Sequence, residues 1–365
     1  MSTTPTLYAA AGQVLVAGYE SLEPPRELQD LATEGALGGF ILFKRNLGTA
    51  AEVAALTRRL RSFAPPEAPI WIGIDQEGGR VARLGPPVVR LPPARVFGEL
   101  DDVALTLEAG ALLGEQLAAL GVNLDFAPVL DVDTNPDNPV IGDRSYSREV
   151  SRVVRHGRAF AAGLAQAGIT SCGKHFPGHG DTLIDSHFGL PRLSHDEARL
   201  RRVELAPFAA LAAELPCIMT AHVIFDAWDA TQPATLSPRV VTGLLRDQLG
   251  FRGLVFSDDL EMHAIANHYG FDDAAVRAIE AGCDTLLVCK ELEHVVSAHA
   301  GLLRRAERDR AFAARLQSAA ARSVAARKLH APAACDPGTV TDLLERGSTA
   351  FEARLEQARS VYARV

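Results

Sequence analysis

Eight short, nearly uninterrupted apolar runs punctuate this 365-residue chain, each separated from the next by a stretch with helical patterning. They are residues 13–17 (QVLVA), 39–43 (GFILF), 70–74 (IWIGI), 122–126 (VNLDF), 169–172 (ITSC), 217–220 (CIMT), 254–256 (LVF) and 285–288 (TLLV). A strand with one wet face alternates apolar and polar residues. Runs without that alternation belong to strands covered on both faces, as in parallel sheets flanked by helices. Strand–helix alternation repeated eight times predicts an α/β fold, a (β/α)8 barrel of the TIM type. A doubly wound open sheet is the competing arrangement, and the eight-fold count decides for the barrel.

Helix starts between the runs are well marked. Thr49–Glu52 and Ser194–Glu197 both read as capping boxes, and Ser237-Pro238 places a capping hydroxyl before a first-turn proline. After Ser147, Val150, Val153, Val154, Phe160, Ala161 and Leu164 form an apolar stripe at helical period. Two Gly/Pro-rich loops interrupt the alternation, one from Asp75 to the helix near Ala104–Leu120 and one from Pro128 to Tyr146. The catalytic barrel is expected over residues 1–330. A helical C-terminal extension, residues 331–365, is expected to pack on its outside, after the breaker APAACDPG.

Composition narrows the setting. With 47% hydrophobic and 22% charged residues, the chain is a soluble globule with a full core, which excludes disorder and collagen. Its net charge of −8 leaves no basic footprint for nucleic acid or anionic lipid. No stretch reaches the roughly 18 apolar residues of a membrane span. The N-terminus has no Lys or Arg before its apolar part, so it makes a poor signal peptide. Five widely spaced cysteines without a CxxC pair (Cys172, Cys217, Cys283, Cys289, Cys335) read as reduced thiols. A cytoplasmic location follows as the expectation, with neither membrane nor nucleic acid as partner. The oligomeric state is not readable.

Chemistry-bearing residues cluster just past the strands. Asp75, Glu77, Arg80 and Arg83 follow the third run, and Asp131, Asp133, Asp143 and Arg144 follow the fourth. Lys174, His175, His179, Asp181, Asp185 and His187 follow the fifth, His222 the sixth, Asp258 and Asp259 the seventh. In a parallel barrel these positions share the C-terminal face, where active sites form. Phosphate-loop, dinucleotide and nucleophilic-serine signatures are missing. Two chemistries fit. In one, His175, His179, His187 and His222 with Asp181 or Asp185 hold a divalent metal, although HxH and HExxH spacings are lacking and Lys174 would repel a cation. In the other, Asp258 attacks an anomeric carbon as a glycosidase nucleophile, while Lys174, Arg83 and Arg144 bind sugar hydroxyls or an acyl group and Asp75 grips two hydroxyls.

The strings KHFPGHGDTLIDSHFGLP (174–191), IDQEGGRVARL (74–84), IGDRSYS (141–147) and FSDDLEM (256–262) resemble family 3 glycoside hydrolases, and most closely the single-domain bacterial β-N-acetylglucosaminidases of cell-wall recycling. The resemblance runs in order from about Leu15 to His263, and KHFPGHG with DSH is a highly specific signature. It implies a nucleophile at Asp258 and a general acid/base at His187 paired with Asp185. It places sugar contacts at Asp75, Arg83, Arg144, Lys174 and His175. It further implies a retaining exo-hydrolase without metal or other cofactor, acting on a small carbohydrate: terminal N-acetylglucosamine of peptidoglycan fragments. A β-glucosidase or broad hexosaminidase of the same family, the barrel metallohydrolase, and a sugar-binding sensor are the alternatives. Glu77 and Arg80 read as loop ties, Asp259 as a local cap, and His179 as the rival acid. The glycines Gly173, Gly178 and Gly180 suggest a loop that closes over the sugar.

Overall fold

In the computed structural model, which describes residues 6–186, 189–329, 338 and 340–362, the eight runs form eight parallel strands that close into a barrel. These are β1 (Leu15–Ala17), β2 (Gly39–Leu42), β3 (Trp71–Ile74), β4 (Leu124–Asp125), β5 (Thr170–Phe176), β6 (Cys217–Thr220), β7 (Leu254–Asp259) and β8 (Thr285–Val288). The first and last strands pair directly, Leu15, Val16 and Ala17 opposite Leu286, Leu287 and Val288, so the open-sheet alternative does not hold. The first strand starts later than its apolar run suggests, because Gln13 ends the helix Leu7–Gln13 and points its amide at the Gly35 carbonyl, 2.5 Å away.

Burial explains the unbroken apolar runs. Successive side chains on a strand face opposite sides. Val16, Ile41, Trp71, Leu124, Phe126, Met219, Phe256 and Leu287 fill the barrel interior. There the Phe256 ring meets Phe126 at 5.6 Å and Trp71 at 6.3 Å, both edge to face. Leu15, Phe40, Ile72, Ile218, Val255 and Leu286 point outward into the layer under the helices. Each fully buried side chain of this kind contributes about 1.5–3 kcal/mol, so neither face tolerates polar alternation.

The helices begin largely where the local chemistry sets them. Thr49 and Glu52 form the expected capping box on Ala50–Phe63, and Asp102 caps Val103–Ala119 through Leu105 N–H at 2.9 Å. One cap differs from expectation: Asp196, not Ser194, caps Glu197–Arg202, and the Ser194 hydroxyl donates to Asp226 instead. Ser237 accepts from Val240 N–H as expected, but the helix it starts, Arg239–Gln248, winds as a π-helix. The Ala/Arg-rich stretch divides into Leu292–Arg308 and Arg310–Leu329, with the Asp309 carboxylate capping the second. The last helix, Val340–Tyr362, lies over Val103–Ala119, where Gln116 donates to the Leu344 carbonyl and the Ser348 hydroxyl. Residues 331–337 of the breaker, with Cys335, lie outside the described residues. The other four cysteines are buried thiols. Among the described residues no helix is long and apolar enough to cross a membrane.

The two long loops shape one rim. After β3 a hairpin pairs Gln76–Gly78 with Val81–Ala82, and the Gln76 amide oxygen accepts from the Arg83 and Leu84 N–H groups. From this hairpin Arg80 donates to the Val140 and Ile141 carbonyls and pairs with Asp143, tying it to the loop after β4 as expected.

Candidate active site

At the C-terminal end of β5, Lys174 points into a buried cluster of charges. Its ammonium lies 2.6 Å from Glu77 and 2.8 Å from Asp75. Glu77 also takes a two-pronged contact from Arg144, Nη2 to Oε1 at 2.8 Å and Nε to Oε2 at 2.9 Å. Asp75 takes the Arg83 Nη2 at 3.2 Å. Asp75 and Glu77 stand two residues apart on extended chain, so their side chains share a face. Burial works to raise both carboxyl pKa values. At Asp75 the charges of Lys174 and Arg83 outweigh it, and at Glu77 those of Arg144 and Lys174 do, so both acids are held below the usual range. Burial likewise opposes the Lys174 charge, but Asp75 and Glu77 lift its pKa above the ordinary lysine value. The cluster is therefore ionised across the physiological range, with rigid donors and acceptors aimed at one space. Beneath it Asp125 is fully buried. One of its oxygens accepts from Gln76 N–H and the other has no partner, and burial pushes its pKa up to about 7.

His175 is oriented from behind. Its Nδ1 contacts Asp131 Oδ2 at 2.6 Å, which leaves Nε2 on the cavity side, 3.5 Å from Arg144 Nη2. The same Asp131 carboxylate accepts from the backbone N–H of His175 and of His179. His179 is buried, its Nδ1 on Thr182 Oγ1 at 2.8 Å and its Nε2 on Ser186 Oγ at 3.1 Å. Burial, reinforced by the neighbouring His175, lowers its pKa to about 4. An imidazole so engaged is a poor acid/base, and its place is structural.

On the opposite wall, Asp258 is the penultimate residue of β7, and its Oδ1 accepts from Asp259 N–H at 2.8 Å. Asp259 in turn accepts from the N–H groups of Glu261 and Cys289, the local role expected of it. Burial and then Glu261 push the Asp259 pKa up to about 7. Asp258 and the Lys174 cluster line one cavity of about 170 Å³, into which Phe43, Ser186, Met219 and Met262 also project. Of the eight residues expected to act on or contact the sugar, six meet here: Asp75, Arg83, Arg144, Lys174, His175 and Asp258. Asp185 lies off the lining, its carbonyl accepting from Gly189 N–H, and His187 lies outside the described residues. His222 is buried behind the wall, between Thr235 Oγ1 and the Asp259 carbonyl.

Glu77, which in the sequence reads only as a loop tie, is the partner of both Lys174 and Arg144. Asp131, Ser186 and Phe43 carried no assigned role. For Glu77 a signal existed, its spacing of two from Asp75. Asp131 shares the strand-end position of the other rim residues, but nothing in its spacing names its partners, which belong to β5 and the loop after it. The metal reading is not supported by the geometry: both ring nitrogens of His179 and of His222 are engaged by hydroxyls or a carbonyl, so His175, which keeps its Nε2 toward the cavity, has neither of them beside it as a free ligand. Among the described residues the group offering three metal-ligating side chains is Asp181, His195 and Glu204, away from the cavity, with Glu204 paired to Arg199. The loop glycines answer to packing. A Cβ on Gly180 would stand 1.9 Å from the Val132 carbonyl oxygen, and Gly178, at φ +138°, abuts Glu204.

Comparison with known proteins identifies relatives of the chain and of its fold. Residues 8–325 match the N-terminal domain of glycosyl hydrolase family 3. Beta-hexosaminidase A of Pseudoalteromonas piscicida is 38% identical over 285 residues, 72% of this chain and 48% of that protein, so the chain spans about half the length of this relative. A glycoside hydrolase family 3 beta-N-acetylglucosaminidase from Paenibacillus sp. str. FPU-7 superposes with a TM-score of 0.85 at 41% identity, covering 94% of this chain and 68% of that one. NagZ from Neisseria gonorrhoeae, in complex with N-trifluoroacetyl-D-glucosamine, superposes with a TM-score of 0.78 at 31% identity over 95% and 98% of the two chains.

Proposed function

The chain belongs to glycosyl hydrolase family 3, and on that premise we propose that it is a β-hexosaminidase that removes terminal N-acetylglucosamine from β-linked glycosides through a covalent intermediate on Asp258. One observation carries the reading: the Asp258 carboxylate and the ionised Lys174–Asp75–Arg83–Arg144 cluster line the same small cavity from opposite walls.

In the first step an Asp258 oxygen bonds to the anomeric carbon as the bond to the aglycone oxygen breaks. His187 gives its proton to that leaving oxygen. In the second step water attacks the same carbon, loses a proton to His187 and releases Asp258. Two inversions give net retention. An imidazole near pKa 6.5 suits both proton transfers, and Asp185 orients the ring and stabilises its charged form. Lys174, Arg83 and Arg144 donate to sugar oxygens. Asp75, already held by Lys174 and Arg83, presents pre-aligned lone pairs to two hydroxyls, and His175 adds its Nε2. Carboxylate and imidazole supply all the charge the reaction needs, so no metal or other cofactor enters.

The ligand bound by NagZ, an N-acylated glucosamine, supports a 2-acetamido sugar as the glycone. For the natural substrate we take peptidoglycan fragments in which N-acetylglucosamine is linked to (anhydro)muramic acid, met in the cytoplasm. The barrel carries the chemistry, and the helix Val340–Tyr362 buttresses it.

The test is release of 4-nitrophenol from its N-acetyl-β-glucosaminide beside the plain β-glucoside, with and without EDTA. Cleavage of the acetamido sugar alone, insensitive to chelator and reduced at least about 10³-fold by Asp258→Ala, is the expected result. Preference for the glucoside overturns the substrate assignment. Full activity in Asp258→Ala overturns the nucleophile.

A further inference from the structure

Ser186 stands between Asp185 and His187 in the chain, is 2% exposed, and lines the cavity. It is gripped from two sides. Its hydroxyl meets His179 Nε2 at 3.1 Å, and its carbonyl accepts from Ala264 N–H at 3.2 Å. The two grips belong to different elements. His179 follows β5 and is itself fixed, by Thr182 at Nδ1 and by Asp131 at its backbone N–H. Ala264 belongs to the short helix His263–Ala266, which follows the Asp258 strand. Asn138 completes the frame by donating to the His179 carbonyl and to Thr182 Oγ1.

We propose that Ser186 is a positioning residue that ties the segment carrying the acid/base pair to the segment carrying the nucleophile, with His179 as its anchor. The inference rests on the roles assigned above to Asp258, Asp185 and His187. Its physical basis is geometric. The acid/base must donate to an oxygen on the very carbon that Asp258 attacks, and an error of about 1 Å in such a placement can cost about 10²-fold in rate. Two side chains on separate loops hold that relation only if the loops are joined. Ser186 joins them through its carbonyl on Ala264 N–H, and its hydroxyl on His179 fixes that peptide against the frame behind β5. His179 serves because both its nitrogens are bonded to hydroxyls inside a buried frame, so the ring cannot turn.

The test uses the full chain with Ser186→Ala, and His179→Gln as the variant that keeps an amide toward Ser186. Each is assayed on methyl N-acetyl-β-glucosaminide, whose leaving group needs a proton, and on the 2,4-dinitrophenyl glycoside, whose leaving group does not. Displacing an acid/base that is worth about 10²–10⁴-fold predicts for Ser186→Ala a loss of about tenfold or more in kcat/KM on the methyl glycoside and of about threefold or less on the dinitrophenyl one. Added azide, a nucleophile that needs no general base, raises kcat on the dinitrophenyl substrate in Ser186→Ala and leaves the parent unchanged. His179→Gln falls between the parent and Ser186→Ala. Equal losses on both glycosides at unchanged Tm, or no loss on either, overturn the proposal.

A readout independent of turnover is thermolysin cleavage at Leu183–Ile184, where both side chains are exposed on the same loop. Cleavage several-fold faster in Ser186→Ala at unchanged Tm is expected, and an unchanged rate overturns the tether. A parent protein inactive on N-acetyl-β-glucosaminides would sink the functional reading, and the proteolysis comparison would still decide the tether.

Discussion

Glu77 lies 2.6 Å and Asp75 2.8 Å from the Lys174 ammonium, so the lysine at the heart of the cavity is held between two carboxylates that stand two positions apart in the chain. Because Glu77 also holds Arg144 at two points, it sets the direction of two cations at once. Burial makes that arrangement strict: removing one partner of a buried ionic group leaves the others without compensation.

Glu77→Gln keeps the shape and removes the charge. Lys174 and Arg144 then share one fewer carboxylate in a buried space. The expected outcome is a loss of about 3 kcal/mol in unfolding free energy, at the lower end for broken buried pairs, and a fall of about 10²-fold in kcat/KM as the donors lose their aim. Chemical denaturation and steady-state kinetics on the 4-nitrophenyl substrate check both. Activity within twofold of the parent would mean that Asp75 alone positions Lys174.

Asp125 predicts a pH dependence of stability. Its folded pKa is raised by burial from the ordinary 3.8 to about 7. The unfolded chain therefore ionises this group first, and between these values the folded state binds more protons. Stability falls as pH rises from about 4 to about 7 and then levels off, with this group contributing on the order of a few kcal/mol at most. Asp125→Asn keeps an acceptor for Gln76 N–H and cannot ionise. Its Tm is expected to fall less than the parent's between pH 4 and 7, and to match or exceed the parent's at pH 8. An identical pH profile for the two proteins would show that Asp125 is charged in the folded state.

Gly180→Ala tests the packing reading of the strand-five loop. The added Cβ meets a backbone oxygen at 1.9 Å, which no side-chain rotation relieves. The loop must shift as a body, and destabilisation of about 1–3 kcal/mol is expected, as for overpacked interiors. Turnover falls with it, because the displaced loop holds His179 and Ser186. A variant with parent Tm and parent kcat would show that Val132 yields freely.

How far the sequence carried each residue depends on the range of the forces involved. The unbroken runs from GFILF to TLLV announced strands covered on both faces, and their number announced the barrel that Leu15 and Leu286 close. Thr49 with Glu52 marked a helix start, because that signal is complete within four residues. Where two local solutions competed the reading was less secure: Ser194 and Asp196 are both good caps, and the nearness of Asp226 drew Ser194 away. The motif strings marked the rim residues, nine of which do share a cavity.

The wiring between those residues needed the tertiary structure. Asp131 orients His175 from another strand end, Glu77 joins Lys174 to Arg144 across three loops, and Ser186 meets both His179 and Ala264. None of these pairings has a period or a fixed spacing. The sequence by itself determined the barrel and the set of groups at its mouth, because hydrophobic burial and capping act over a few neighbouring residues. Which carboxylate holds which cation was decided only when closure of the barrel brought distant loops within hydrogen-bonding range, since electrostatic pairing in a dry site depends on distance in space rather than along the chain.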